Sequence, residues 1–509
     1  MRRFFVRIIS LLMVCSVLIS FVGCGNDKTT ASDSSSITSN VVSSDVTSTD
    51  TSIEIDKEIL EKYSYFPVVS EVMPIIHINT KDGLNAFATQ FRREDKMAGL
   101  IDYVDATIAV TECEDEFAFS DIEAEVKVRG NYTLNYDKKP IRIKFSKKQN
   151  LLGLHNGEKY KNWVLLADWK DLSMSNNTLA FYFGNTILAS DGFYCTDFRN
   201  VEVYLNGEYW GVYLLAEQQE VKDGRMSASE VEDGYLGNDI GYMFEFDSYF
   251  TEERDMPDGS GDPTFEISYG DAPYSQGGYT VKSDINDPTQ LMFLENYLEN
   301  VFTISYAVIQ NNSYFKFNDD FSDIESADFT TAKETISNII DLQSLVDMYI
   351  INEICCDPDI AWSSFYLSVD MSENGSKKLI FEAPWDFDSA FGIKNNFTST
   401  EGLFAKDSKN PWLSIFANEQ WFTDMVEEKW NELKEAQVFT NALKLVRLQK
   451  ETYKNYYEKN YIRWSKRIEK GNGEVIKEIN SYKTQGEAAD YLYNWLDKRI
   501  EFLDSVWGK

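Results

Sequence analysis

The 509-residue chain predicts an α+β fold, rich in strands in its first half and in helices in its second. Three observations carry that expectation. Two β-rich runs, 201–205 and 208–215, flank Asn206-Gly207, a dipeptide suited to a two-residue hairpin because both positions tolerate a positive φ. Period-two alternation recurs upstream, with Ile141 and Ile143 on one face of a segment and Arg142 and Lys144 on the other. Beyond about Thr331 the apolar spacing becomes helical, as in Phe422, Val426, Trp430 and Leu433. Strands first and helices after, rather than the two in alternation, indicate α+β, here as two lobes with a cleft.

The chain opens with Arg2, Arg3 and Arg7, then an apolar stretch over 8–22 and Gly23-Cys24. A basic start, a short apolar run and a small residue before the cut describe an export signal over 1–23. The run is short of the roughly 20 residues a spanning helix needs. Phe21-Val22-Gly23-Cys24 resembles a bacterial lipobox, with Phe where Leu is usual, so Cys24 is the expected lipidation site. That places the protein on the outer face of a bacterial cell membrane as a lipoprotein, with the membrane as one partner. From Thr29 to Ser52, 15 of 24 residues are Ser or Thr, and no aromatic occurs between Gly25 and Lys62. Such a segment has nothing to bury, so 24–60 reads as a solvated tether and 65–509 as the folded body.

Composition narrows the function. Apolar residues make up 43% and aromatics 14%, enough for a sizeable core. With 83 acidic against 49 basic residues the net charge is −34, which argues against nucleic acid as a partner. Two histidines, His77 and His155, exclude a His-rich metal site, and the lack of a CxxC pair gives zinc little support. Adjacent Cys355 and Cys356 read as buried thiols.

Within the body, 74–80, 105–110, 126–128 and 138–145 read as strands and 173–183 as a helix, followed by the hairpin. The acidic, Gly- and Asp-rich stretch 225–285 reads as loops with short strands. Asp341 is a plausible N-cap for a helix carrying Leu342, Leu345, Val346 and Tyr349 on one face. Segments 365–369 and 379–381 form a hairpin around Glu373-Asn374-Gly375, and helices return after it.

Three constellations carry chemistry. Residues 126–133, VKVRGNYT, run a strand into Arg129-Gly130, where glycine admits a close ligand and arginine can fork onto phosphate. Lys138, Lys139, Arg142 and Lys144 concentrate positive charge in an acidic chain, as binding a polyanion such as a nucleoside triphosphate requires. Asp357 and Asp359, with Asp386 and Asp388 of WDFD, flank the second hairpin. Asp386 and Asp388, two apart on an extended segment, can hold a hard cation through oxygen. Together these make a phosphoryl-transfer set. A glycosidase would also want paired carboxylates, but it has no use for the basic cluster.

RGNYTLNYDKKPIRIKF (129–145), LLGL with NWVLLADWKD (151–171), VEVYLNGEYWGVYLLAEQQEV (201–221) and APWDFDSAFG (383–392) resemble, in order, the CotH family of spore-coat-type atypical protein kinases. The resemblance runs from about Pro74 to Arg467. It implies a divergent two-lobed protein-kinase-like fold with a helical C-terminal extension, which binds ATP and Mg²⁺, with Mn²⁺ as a substitute, and phosphorylates protein Ser or Thr. By motif, Asp359 matches the catalytic aspartate and Asp386 the metal-binding one, with Asp388 beside it. Arg129, Lys139 and Lys144 match the nucleotide-binding segment, leaving open which lysine meets the phosphates. Glu217 falls where a hinge would lie beside adenine, and Ser363 or Ser364 where a second metal ligand would. The chain departs from the family in RGNYT for RGNST and in CDPDIAW, with bulky Trp362 near Asp359. The acidic insertion over 251–274 is expected to remodel the cleft. A strongly acidic enzyme should prefer a basic protein acceptor; a catalytically silent surface scaffold of the same fold is the alternative.

Overall fold

In the computed structural model the described residues are 57–509 except 258 and 260. The expected signal peptide over 1–23, lipidation at Cys24 and nearly all of the tether over 24–60 lie outside them.

Seven strands come first: β1 (Ile75–Thr80), β2 (Val104–Thr111), β3 (Phe119–Val128), β4 (Ile141–Gln149), β5 (Tyr160–Leu166), β6 (Phe198–Leu205) and β7 (Glu208–Glu217). They close into a barrel in the order β1-β2-β3-β4-β5-β7-β6, leaving no open edge. Neighbours are antiparallel except β1 and β6, which run parallel with Ile76 opposite Val203. Alternation decides the two faces: Ile76, Val126, Val128, Ile141 and Ile143 are buried in one apolar cluster, and the residues between them face outward. The hairpin turn has Asn206 at φ 49° and Gly207 at φ 79°, as its sequence requires. The basic strand begins at Ile141 rather than at 138, after Pro140, which has no N–H to contribute to the ladder.

The stretch 225–285 does more than form loops. It supplies β8 (Gly241–Asp247), buried along its whole length, together with β9 (Thr264–Phe265) and β10 (Gly278–Val281). A small hairpin, β11 (Phe315–Phe317) and β12 (Ile324–Ser326), stands apart. With β13 (Phe365–Asp370) and β14 (Ile380–Phe381), the three strands make a second sheet in the order β14-β13-β8-β10-β9.

Helical structure starts earlier than the sequence indicated. The helix Pro288–Asn311 is 24 residues long and is opened by Asp287, whose carboxylate accepts from the Thr289 N–H at 2.9 Å. Asp341 does cap Leu342–Cys355, accepting from the Ser344 N–H at 2.9 Å. That helix is buried on almost every side, with Gln420–Glu435 and Gln485–Trp507 packed about it. Phe422, Val426, Trp430 and Leu433 all lie buried. Cys113, Cys195, Cys355 and Cys356 are free thiols, the last three buried. No helix among the described residues is long and apolar enough to cross a membrane. The fold is thus mixed α and β, with a strand-rich first half and a helical second half.

Candidate active site

The outer face of β3 and β4, the second sheet and the turn after Leu342–Cys355 enclose a cleft of about 1100 Å³. One wall of it is anionic. The helix stops at Cys356, in the left-handed region at φ 49°, and Asp357 then accepts from the Asp359 N–H at 3.3 Å. This turn presents Asp359 to the cleft, with the Lys394 ammonium 2.6 Å from its Oδ1. Asp386 has φ 66°, and the next residue is pinned by its N–H to the Asn177 amide oxygen at 2.9 Å. Burial, and then the nearby Asp388, push the Asp386 carboxyl up to about 7 against the pull of Lys170. Asp388 is paired with Lys170 at 2.9 Å, and Lys170 also donates to Ser389 Oγ at 2.7 Å and lies 3.8 Å from Glu474. Burial disfavours the Lys170 charge, but Asp388, Asp386 and Asp359 outweigh it and hold its pKa well above the ordinary lysine value.

The facing wall is cationic. Lys127 and Arg142 are direct partners across β3 and β4, and both project away from the barrel core. Like charges so placed repel and destabilise a sheet by a few tenths of a kcal/mol or more, roughly. Burial, then Arg142, lower the Lys127 pKa, and its ammonium rests over the Tyr103 ring at 4.5 Å. Arg142 is 3.9 Å from Glu220, and its buried Nε has no partner. Arg129, one residue past β3, lies over Trp385 at 5.4 Å and within the electrostatic reach of Asp386. Gly130 follows at φ 108°, where a Cβ would meet Thr133 Oγ1 at 2.1 Å, so this turn admits no side chain.

Of the residues expected from sequence, Arg129, Asp359, Asp386 and Asp388 line this cleft together, as do Ser363 and Ser364. Lys139, Lys144 and Glu217 do not. Lys139 precedes the strand and is buried, its ammonium on the Tyr136 carbonyl. Lys144 shares the Arg142 face but sits two residues on, about 7 Å along the strand, where it pairs with Glu125 at 3.3 Å. Glu217 is wholly buried, accepting from the Asp197 N–H at 3.0 Å, 3.2 Å from His155 Nδ1 and 3.3 Å from Arg225 Nε. Gln218, Gln219 and Glu220, immediately after it, line the cleft instead.

The sequence reading passed over Lys127, Lys170 and Lys394. Lys127 was recoverable from alternation, since it falls between inward Val126 and Val128. Lys170 stands in the ADWKD run, and Lys394 has no local signal. The acidic insertion does reach the cleft: Glu253, Met256 and Asp262 line it, and Glu253 pairs with Lys96, also on the lining, at 2.9 Å.

Among the described residues no group of three or more His, Cys, Asp or Glu is placed to hold a metal. Magnesium sites commonly use one or two carboxylates and complete the shell with water and substrate phosphates. The oxygen donors of Asp386 and Asp388 suit that arrangement, and the cationic Lys127–Arg142 face suits a phosphate chain. A family model described as CotH kinase protein matches residues 126–503, beginning later than the resemblance read from sequence and extending into the last helix. No curated protein matches the chain.

Proposed function

The chain belongs to the CotH kinase family, and we propose that it is an atypical protein kinase transferring the γ-phosphoryl of ATP to Ser or Thr hydroxyls of proteins. Family membership supports kinase-like function. The reading rests on one observation: Lys127 and Arg142, like charges placed directly opposite each other, line a single cleft with Arg129, Asp359, Asp386 and Asp388. In this scheme the three cations take the triphosphate, replacing the repulsion between Lys127 and Arg142 with charge-assisted hydrogen bonds. Mg²⁺ or Mn²⁺ held by Asp386 and Asp388 would supply charge neutralisation at the β- and γ-phosphates. Asp359 orients the acceptor hydroxyl in line with the phosphorus and takes its proton. Positioning and electrostatics do most of the work in such transfers. The two halves of the chain then act as divergent kinase lobes.

The acceptor we propose is a basic segment, drawn to a cleft also lined by Glu245, Asp247 and Asp262. Export through residues 1–23, lipidation at Cys24 and a role at the outer membrane face, on spore-coat-like or other extracytoplasmic proteins, belong to the same proposal. One observation favours the catalytically silent scaffold: Lys170 and Lys394 already neutralise Asp388 and Asp359.

Incubating the full chain with γ-labelled ATP, Mg²⁺ or Mn²⁺ and a Lys-flanked Ser peptide, beside Asp386→Asn, decides between the two. Label on the peptide that disappears in the variant supports the kinase. ATP-dependent thermal stabilisation without label in either supports the scaffold.

A further inference from the structure

Lys394 differs from the other cations near the anionic wall. Lys170 is buried and committed to Asp388 and Ser389, and Lys282 is shared between Glu245 and Asp262. Among the described residues the Lys394 ammonium is ion-paired with Asp359 alone, with Asp357 also within its electrostatic reach, and each side chain of the pair keeps 26% of its surface exposed. Its backbone, in contrast, is fixed. Lys394 bridges to Val475, the Ile476 N–H donates to the Ile393 carbonyl at 2.9 Å, and the Asn395 N–H donates to the Glu474 carbonyl at 2.9 Å. The Asn395 amide adds a bond to the Gly473 carbonyl at 2.9 Å. A clip between 393–395 and 473–476 therefore anchors the root of a lysine whose tip is held by a single, partly exposed carboxylate.

Resting on the phosphotransferase reading above, we propose that Lys394 is a catalytic residue that leaves Asp359 to bind the transferring phosphoryl group. Asp359 must come within about 3 Å of the acceptor oxygen to receive its proton, and that oxygen attacks the phosphorus from about 3 Å. A flexible ammonium seated on the same carboxylate is within a side chain's swing of the phosphoryl oxygens. In the transfer the bond from phosphorus to the β–γ bridging oxygen breaks and its electron pair leaves on ADP. The bond from the acceptor oxygen to phosphorus forms, and the hydroxyl proton passes to Asp359. Lys394 keeps its proton throughout and meets the charge spread over the phosphoryl oxygens. Before loading it neutralises Asp359, and after loading it releases that carboxylate to the acceptor.

A lysine that contacts the γ-phosphoryl affects ATP but not ADP, whereas one that only braces Asp359 does not distinguish them. Calorimetric titration of the full chain with ADP and with a non-hydrolysable ATP analogue, in Mg²⁺, reads this directly. In Lys394→Met the analogue should bind about tenfold more weakly, with ADP unchanged within twofold, and peptide phosphorylation should fall at least a hundredfold in kcat. Lys394→Arg, which keeps the charge, should restore most of the analogue's affinity. Wild-type protein that binds neither nucleotide overturns the kinase reading and the role of Lys394 with it. A wild type that prefers the analogue, with Lys394→Met or Lys394→Arg variants that show the charge to be irrelevant to that preference, overturns the role of Lys394 alone.

Discussion

Arg499, in the last helix, and Glu353, in the buried helix that leads to Asp359, form an ion pair 2.8 Å apart with neither side chain exposed. Both ends are fully bonded. Arg499 also donates to the carbonyls of Glu353, Thr400 and Gly402, and Glu353 accepts from the N–H groups of Phe404 and Lys406. The pair thus joins three parts of the helical half just behind the turn that carries Asp359.

Arg499→Met should therefore be strongly destabilising. Removing one member of a buried pair leaves the other charged and unpaired, at about 3–5 kcal/mol. Denaturant melts of the purified variant measure it. A loss under 1 kcal/mol would mean that Glu353 is satisfied without its partner.

Lys127→Ala and Arg142→Ala should have effects of opposite sign on stability and binding. Relieving the cross-strand repulsion should raise stability by about 0.5 kcal/mol, while loss of a phosphate contact weakens ATP about tenfold. Thermal melts without nucleotide and titration with it separate the two effects. Lys144→Ala, which breaks the pair with Glu125 and a contact with the Tyr103 ring but removes no group lining the cleft, should leave ATP affinity within twofold of wild type.

Asp386→Asn and Asp359→Asn should both abolish transfer while differing in binding. Asp386→Asn removes a desolvated carboxylate, so the fold should be kept or strengthened while Mg²⁺-dependent nucleotide affinity falls at least tenfold. Asp359→Asn should still bind Mg²⁺ and ATP. Equal nucleotide affinities in the two variants would show that the roles are misassigned.

Asp247 should make stability fall as pH rises. Burial, and then Glu245, push its carboxyl from 3.8 up to about 6. The folded state thus holds this proton more tightly than the unfolded chain, a contribution complete below about pH 4 and lost as pH climbs through 6. Relative to Asp247→Asn, the wild type should lose about 2 kcal/mol between pH 4 and pH 7. Parallel stability curves for the two proteins across that range would remove the assignment.

Local chemistry made much of the fold legible. The Asn206-Gly207 turn, the Asp341 cap and the Phe422–Leu433 spacing each depend on residues a few positions apart, and each appears as read. The helix Pro288–Asn311, absent from the sequence expectation, is signalled locally by Asp287-Pro288, a capping residue followed by proline in the first turn. Barrel closure rests on the parallel pairing of β1 with β6, more than a hundred residues apart, which no short pattern encodes. Asp359 and Asp386 are carried by their own turns, and both line the cleft. The error among the lysines was one of register. Charge concentration marked the β4 strand correctly, but the cleft is reached by Arg142 and its cross-strand partner Lys127, not by Lys144. Lys394 is positioned by residues 473–476 and was invisible without the tertiary structure.

The clip that roots Lys394 also sets an order of events at birth. A ribosome delivers the chain from its first residue to its last, so the barrel and its cations emerge early. The strand partner of Lys394, and Glu474 beside Lys170, emerge almost last. Until then the cationic wall of the cleft stands without the segment that seats Lys394 beside Asp359.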